Sequence, residues 1–219
     1  MGAPSRKLIC MRLVADELTI ERGGRRLLVR LSFTVAAGEA LIVTGRNGVG
    51  KSTLLRAVAG FLAPVSGRLV FEVEGGAPDN EAPAALCAHY VGHADSLKGA
   101  LSARENLAFW KAMLAGAGGG EALSPEAAMD RFGLARIADL PVRHLSAGQK
   151  RRVALARLLV AGRPLWLLDE PTAALDIVAQ EMLASTMRSH LAKGGFILAA
   201  THAPLGLAGA RELPLGDIA

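Results

Sequence analysis

"GRNGVGKS", residues 45–52, follows the short apolar run "ALIVT" and precedes a helical pattern at 50–60. The stretch fits the spacing G-x-x-x-x-G-K-S/T, in which backbone N–H groups at the start of a helix cradle phosphate groups. A buried strand, a glycine-rich loop and a helix in this order provide the structural context that the motif requires. The segment therefore predicts an α/β domain that binds a nucleotide phosphate chain.

The residues of this phosphate loop have separate expected roles. Its glycines let the backbone approach phosphate oxygens closely, and Lys51 can reach the β- and γ-phosphates. The Ser52 hydroxyl can ligate Mg²⁺. The residues predicted to bind the nucleotide are Gly45, Arg46, Asn47, Gly48, Val49, Gly50, Lys51, Ser52 and Thr53.

Two later segments bring acidic and imidazole groups to strand ends. "LWLLDEP" (165–171) is an apolar run that ends in two carboxylates. We expect Asp169 to join the Mg²⁺ shell and Glu170 to polarise the water that attacks the γ-phosphate. The alternative, a pair of helix caps, is less favoured behind a phosphate loop. "AATHAP" (199–204) places His202 after another apolar strand, at the edge where α/β sheets bind ligands.

A second loop suited to anions occurs in "HLSAGQKRRVALARLL" (144–159), where a small polar segment runs directly into a helix. The residues predicted to contact phosphate there are Ser146, Ala147, Gly148 and Gln149. We expect the three basic side chains at 150–152 to lie on a solvated helix face, with contact to a partner subunit as the alternative. The remainder of the helix is apolar and is predicted to be buried.

The order of elements predicts one domain over residues 1–219. Two strands joined at Gly23-Gly24 form a hairpin, and strand and helix alternate towards the end of the chain, which favours a parallel sheet. Residues 94–161 lack a strand pattern and are predicted to form an inserted helical subdomain. Further strands are expected at 67–73, 85–93, 165–169 and 196–200, helices at 102–115, within 124–161 and at 176–192, a loop at 74–84, and a flexible break at 116–120.

Composition narrows the classes of partner. The chain carries a net charge of +5, which suits phosphate, nucleic acid or an anionic surface. Aromatic residues make up only 4% and none interleaves with the arginines at 22, 25, 26 and 30, so a platform for stacking bases is not supported. We therefore expect no nucleic-acid partner. The sequence shows neither a signal peptide nor a spanning segment, so a soluble chain that reaches a membrane through partners is expected.

The cysteines and histidines do not form a metal-binding pattern. Cys10 and Cys87 form no CxxC pair, which is typical of a reducing compartment. Cys87, His89 and His93 alternate in sequence and could share one strand face. Because three such ligands on one strand are too spread out to chelate an ion alone, we expect a packed strand.

The segments "GRNGVGKST", "LSAGQKRRVALARLL", "LLDEPTAALD" and "ATHAP" resemble, in this order, the nucleotide-binding subunit of ABC transporters. The resemblance implies a P-loop NTPase (RecA-like) parallel sheet core with an N-terminal antiparallel β subdomain and an inserted helical subdomain. It also implies hydrolysis of ATP with Mg²⁺ by a head-to-tail homodimer. In such a dimer the loop at 146–149 faces the ATP on the partner's phosphate loop, Asp176 lies across the interface and His202 senses the γ-phosphate.

Three positions depart from the usual family pattern. His93 stands where most members have a Gln that takes part in catalysis, Ala147 replaces a Gly, and Arg22 replaces an aromatic residue that stacks on adenine. With "ENLAFW" and "THAPL", these departures are similar to the haem-exporter ATPase subfamily of cytochrome c maturation (CcmA type). That similarity implies integral membrane partners of the CcmB, CcmC and CcmD type and a role in releasing the haem-loaded chaperone CcmE. It implies a peripheral position on the cytoplasmic face of the bacterial inner membrane.

Other functions remain as alternatives. The nearest is the ATPase subunit of another small ABC exporter. An ABC ATPase acting on DNA or ribosomes usually has two cassettes or a long coiled coil, and 219 residues leave no room for either. A P-loop kinase or GTPase would not need the loop at 146–149, and a purely regulatory ATP-binding module would not need Glu170.

Overall fold

The computed structural model describes residues 10–73, 81–115 and 121–216, which form two sheets and six α-helices. The strands are β1 (Cys10–Arg22), β2 (Arg25–Ala36), β3 (Ala40–Thr44), β4 (Ser66–Val73), β5 (Glu81–Pro83), β6 (Ala88–Val91), β7 (Leu165–Asp169), β8 (Phe196–Ala200) and β9 (Arg211–Pro214). The helices are α1 (Lys51–Val58), α2 (Ala84–Cys87), α3 (Ala103–Met113), α4 (Pro125–Arg131), α5 (Ala147–Val160) and α6 (Ile177–Ala192). The predicted α/β class is confirmed.

The first sheet is antiparallel, with strand order β2-β1-β4-β5. Its β1–β2 hairpin turns at Gly23 and Gly24, whose φ angles of 60° and 73° lie in the left-handed region that glycine adopts freely. Leu28 of β2 reaches the phosphate loop, because a Cβ built on Gly50 would lie 3.3 Å from its Cδ2 atom. The part of this hairpin near its turn therefore lies beside the loop.

The second sheet is parallel, with strand order β6-β7-β8-β3-β9. Every residue of β7 and β8 is buried, which explains their continuous apolar sequence. Since β3 is hydrogen-bonded to β8, and β8 to β7, the carboxyl ends of these three strands lie at one edge. That edge positions the functional residues that follow each strand.

The helical block rests on a separate hydrophobic cluster that includes Leu107, Phe132 and Leu155. Helix α3 begins with the predicted capping box, in which Ser102 and Glu105 each bond the backbone N–H of the other. The pattern over 124–161 resolves into α4, two 3₁₀ turns (Ala135–Ile137 and Val142–His144) and α5. That the block at 94–161 forms a separate subdomain stays a prediction.

Three sequence-based boundaries are wrong. Residues 81–83, expected within a loop, form β5 and pair with β4. Residues 84–87, expected to end that loop and begin a strand, form the helical turn α2. Strand β9 was missed because its four residues are partly or fully exposed and show no apolar pattern. The rest of the predicted loop, 74–80, and the break at 116–120 lie outside the described residues.

Candidate nucleotide-binding and hydrolysis site

The phosphate loop connects β3 to α1 and needs glycine for two reasons. Gly45, Gly48 and Gly50 have φ angles of 132°, 84° and 116°, which other residues rarely adopt. A Cβ at Gly45 would also lie 2.5 Å from the carbonyl oxygen of Leu215. Val49 and Thr53 are buried in this loop and the helix that follows it.

Lys51 holds the loop in its present shape. Its Nζ donates to the carbonyl oxygens of Gly45 (2.6 Å) and Arg46 (3.1 Å). The same nitrogen lies 2.9 Å from Nε2 of His202, which is also 3.1 Å from Oδ1 of Asn47. One ring nitrogen either accepts from Lys51 or donates to Asn47, so the tautomer decides which bond forms. Either way, the structure brings His202 to the phosphate loop, and its role at the γ-phosphate stays a prediction.

Ser52 and Asp169 meet although they come from different motifs. The Ser52 hydroxyl donates to Oδ1 of Asp169 over 2.9 Å, and Tyr90 donates to Oδ2 over 3.2 Å. Burial and the charge of Asp169 raise the pKa of Tyr90, so its phenol stays protonated and donates. Tyr90 was missed in the sequence because a strand aromatic usually indicates core packing.

The Ser52–Asp169 pair fits Mg²⁺, which prefers oxygen ligands and is commonly held by one or two carboxylates together with substrate phosphates. No group of three or more His, Cys, Asp or Glu side chains that could hold a metal occurs among the described residues. A metal bound at this pair would therefore depend on phosphate oxygens to complete its shell.

Glu170 occupies an unusual backbone conformation directly after β7. Its φ angle is 47°, in the left-handed region, and its N–H donates to the Ala200 carbonyl over 2.8 Å. The buried hydroxyl of Thr201 donates to Oε2 of Glu170 over 3.0 Å. This bond orients the carboxylate, and the only sequence signal for Thr201 was its place beside His202.

The loop at 146–149 forms the start of α5. Ser146 accepts from the N–H of Gln149 (3.2 Å), and the Gln149 side chain accepts from the N–H of Ser146 (2.8 Å). Gly148 packs against the segment after β7, since a Cβ on it would lie 3.0 Å from the Ala174 carbonyl oxygen. Ala147 is exposed at the first turn of the helix. Contact of this loop with a nucleotide stays a prediction.

Asp176 has a local role within the chain. It is exposed and caps α6, with its Oδ1 accepting from the N–H of Ala179 over 2.8 Å. The proposed contact of Asp176 with a partner subunit is additional to this cap and stays a prediction.

We expected the basic residues after Gln149 to share one solvated helix face, and this prediction is wrong. Arg151 is only 3% exposed, and its guanidinium bonds to the backbone after β7. Arg152 donates to the Phe132 carbonyl in the helical block over 3.1 Å. The sequence does not show which carbonyl groups will surround Arg151 and Arg152 in the fold. Solvent exposure was therefore the expectation for both charged side chains.

The Cys87–His89–His93 alternation does not form one strand face. Cys87 lies in α2, His89 is buried on β6, and His93 is exposed in the loop after β6. Burial and the charges of Arg157 and Arg163 lower the pKa of His89, so its ring is neutral. The expectation of one packed strand is therefore wrong for Cys87 and His93, since of the three only His89 is buried on a strand. The catalytic role of His93 stays a prediction.

The chain matches known proteins over nearly its full length. A model of the ABC transporter family matches residues 28–173. The chain is 54% identical over 198 residues to the "Cytochrome c biogenesis ATP-binding export protein CcmA" of Rhodopseudomonas palustris strain BisB5, covering 90% of this chain and 94% of that protein. It is 50% identical over 213 residues to the protein of the same name from Rhizobium johnstonii, covering 95% and 96%.

Solved structures give the same fold. The structure of a bacterial Atm1-family ABC exporter with ATP bound aligns with a TM-score of 0.76 and 27% identity, covering 99% of this chain and 39% of the exporter chain. Across 10–73, 81–115 and 121–216, no helix is both long and apolar enough to span a bilayer. The family match and the two relatives show that this chain belongs to the ABC transporter family, as an ATP-binding subunit with the P-loop α/β fold.

Proposed function

We propose that this chain is the ATP-hydrolysing subunit of a bacterial cytochrome c biogenesis complex, in which it drives release of the haem-loaded chaperone CcmE. The observation that carries the hydrolytic role is the convergence of Lys51, Ser52, Asp169, Glu170 and His202 at the carboxyl edge of three adjoining strands. The names of the relatives support the biogenesis role.

Each side chain has a defined task in this proposal. Lys51 exchanges its carbonyl partners in the loop for phosphate oxygens. Ser52 and Asp169 would hold Mg²⁺, which would supply positive charge against the phosphates. Glu170, held by Thr201, accepts a proton from the attacking water. The imidazole of His202 lies beside Lys51 and is placed to contact the γ-phosphate.

We further propose that two copies of the chain complete each site. The N–H groups at the start of α5 suit a phosphate, and Ser146 and Ala147 are exposed there. Asp176 is exposed at the start of α6, where it can face the second subunit. His93, in the exposed loop after β6, takes the place of the catalytic glutamine of other family members.

Arg22 is our candidate for the residue that covers the adenine. It is exposed at the hairpin end, and it pairs with Arg25 in the strand whose Leu28 contacts Gly50. A guanidinium plane can stack on an aromatic ring, so it can replace an aromatic side chain there.

The proposed partners are integral membrane subunits of the CcmB, CcmC and CcmD type, with the chain bound peripherally at the cytoplasmic face of the inner membrane. The relatives' names, which denote ATP-binding export proteins, support this arrangement. The ATPase subunit of another small ABC exporter is the second candidate.

Replacement of the chromosomal gene by a Lys51→Ala version tests the proposed pathway. We expect c-type cytochromes to be absent while haem still becomes attached to the chaperone, because the complex forms but does not turn over. The native protein should co-purify with its membrane subunits. Normal cytochrome c levels in this strain would refute the biogenesis role, and a different membrane partner in the pull-down would favour the second candidate.

A further inference from the structure

Arg151 of α5 is buried behind the residues proposed for hydrolysis. Its guanidinium donates to the carbonyl oxygens of Asp169 (3.0 Å) and Glu170 (2.7 Å), and Nε lies 3.4 Å from that of Pro171. These contacts are to the main chain, so the side chains of Asp169 and Glu170 remain directed at Ser52 and Thr201. Arg151 therefore contacts this segment through its backbone and leaves both carboxylates to their other partners.

The same guanidinium also holds the loop after β6. Its Nη1 donates to the Gly92 carbonyl over 2.7 Å and pairs with the Asp95 carboxylate over 3.2 Å. His93 lies between these two anchored residues. Arg157, on the same helix, donates to the Asp95 carbonyl over 2.5 Å, which fixes the far end of the loop. Helix α5 thus holds both the His93 loop and the Glu170 segment, because the Arg151 guanidinium bonds to each of them.

Glu170 needs this support because its backbone conformation is unfavourable for a residue with a Cβ. At a φ of 47°, it persists only if its neighbours hold it. Its N–H donates to the Ala200 carbonyl, and its own carbonyl accepts from Arg151 over 2.7 Å and from the N–H of Ala173 over 3.2 Å. Loss of the shorter, charge-assisted bond to Arg151 would let the backbone relax and turn the carboxylate away from Thr201.

We propose that Arg151 is a positioning residue for hydrolysis, which sets the orientation of the Glu170 carboxylate and couples it to the loop that carries His93. The inference rests on the ATPase function proposed above. This positioning role requires arginine at residue 151, because only a planar guanidinium with several N–H groups can bond carbonyls of two separate segments at once. Lysine offers one compact ammonium group and can serve only part of this set.

Steady-state kinetics of the full chain, purified with its membrane subunits, test the proposal. We expect Arg151→Gln to lower kcat by on the order of 10²-fold, as misplacement of a catalytic group does. The KM for ATP and the affinity for a non-hydrolysable ATP analogue should stay within about twofold of wild type, since the phosphate loop is untouched. Arg151→Lys should fold more readily than the glutamine variant and still lose most of the activity.

Arg152→Gln is the matched control. It removes a guanidinium–carbonyl bond from the same helix, but that bond goes to Phe132 in the helical block. We expect its kcat to stay within about twofold of wild type. If Arg151→Lys turns over like wild type, or if Arg152→Gln loses as much activity as the Arg151 variants, the positioning role is refuted.

A double variant separates positioning from a general loss of structure. If Arg151 acts through Glu170, Arg151→Gln should lower hydrolysis no further in a Glu170→Gln background, because the group that it positions is already gone. A multiplied loss would show that Arg151 acts elsewhere and would overturn the proposal. A wild-type complex without ATPase activity would instead refute the proposed function.

Discussion

Nζ of Lys51 lies 2.9 Å from Nε2 of His202, although 151 positions separate the two residues in the sequence. They follow β3 and β8, which are hydrogen-bonded neighbours in the parallel sheet. The pairing means that a phosphate group reaching Lys51 would also reach His202. The two loops thus form one binding edge before any nucleotide arrives.

Lys51→Ala should abolish tight ATP binding and leave the fold intact. A charge-assisted hydrogen bond contributes about 1.5–3 kcal/mol, so we expect affinity to fall by at least roughly 10–100-fold. Binding of a fluorescent ATP analogue measures this loss. Lys98→Ala, which removes a lysine that lies over the Phe109 ring, is the control and should bind normally. Wild-type affinity in Lys51→Ala would disprove the role of the phosphate loop.

Glu170→Gln should still bind ATP but hydrolyse it about 10²–10⁴-fold more slowly, because an amide cannot accept the proton of the attacking water. Release of phosphate and retention of nucleotide on a filter measure the two effects. We expect the variant to accumulate as an ATP-bound dimer. Thr201→Val, which removes only the hydroxyl that orients the carboxylate, should have a smaller effect. Undiminished turnover in Glu170→Gln would exclude Glu170 as the base.

Ala147→Asp should block closure of the dimer without harming the monomer. The residue is exposed in the first turn of α5. A carboxylate there interacts favourably with the helix dipole, so the helix stays stable, but it repels an incoming phosphate. We expect normal ATP binding and thermal stability in the isolated chain, and no hydrolysis by the dimer. Ala147→Ser is the uncharged control. Substitution of Gly148 is a poorer test, because the Cβ of any replacement would crowd the Ala174 carbonyl of the same chain.

Mixed dimers test whether this loop serves the other subunit. One Lys51→Ala chain with one Ala147→Asp chain puts both lesions in one composite site and leaves the other site intact, so activity should remain. One wild-type chain with one doubly substituted chain damages both sites and should be inactive. The reverse pattern would mean that the loop serves its own chain. If strict coupling silences both mixtures, crosslinking of ATP to residue 146 across subunits decides.

Acid should destabilise the fold through His190. Burial lowers the pKa of His190 from 6.5 to about 4, and its ring stacks on Trp166 at 3.7 Å between centroids. Because the folded pKa is the lower one, the unfolded chain binds the proton more readily. The contribution of His190 to stability is therefore complete above pH 6.5 and is lost as pH falls towards 4. We expect a loss on the order of 1–2 kcal/mol between pH 7 and 5.

His190→Phe provides the comparison for this pH dependence. It keeps an aromatic ring against Trp166 but cannot titrate, and it loses the 2.9 Å hydrogen bond between Nε2 and the Pro164 carbonyl. Urea unfolding from pH 7 to 5 should therefore show a lower starting stability and a flatter slope. An unchanged slope would mean that another group dominates, and buried His89, whose pKa is also lowered, would be the next to replace.

Much of the site could be predicted from single segments. The phosphate loop, the end of β7 and His202 each follow an apolar strand, and local rules for helix starts and strand ends indicate what such residues can bind. In the structure, Ser52 contacts Asp169 and Lys51 contacts His202. Tyr90 and Thr201 escaped notice, because a single strand tyrosine or threonine has no sequence pattern that distinguishes support of a carboxylate from ordinary packing.

Spacing, apolar runs and capping residues act over a few positions, so the amino-acid sequence was enough to predict the α/β class and the ligands that each loop suits. The contacts of Arg151 depend instead on the folded chain. Its neighbours in sequence favour a solvated helix face, yet the fold surrounds its guanidinium with carbonyls from the loop after β6 and the segment after β7. A buried charge is stable only where distant segments supply acceptors, and their convergence is a property of the folded chain.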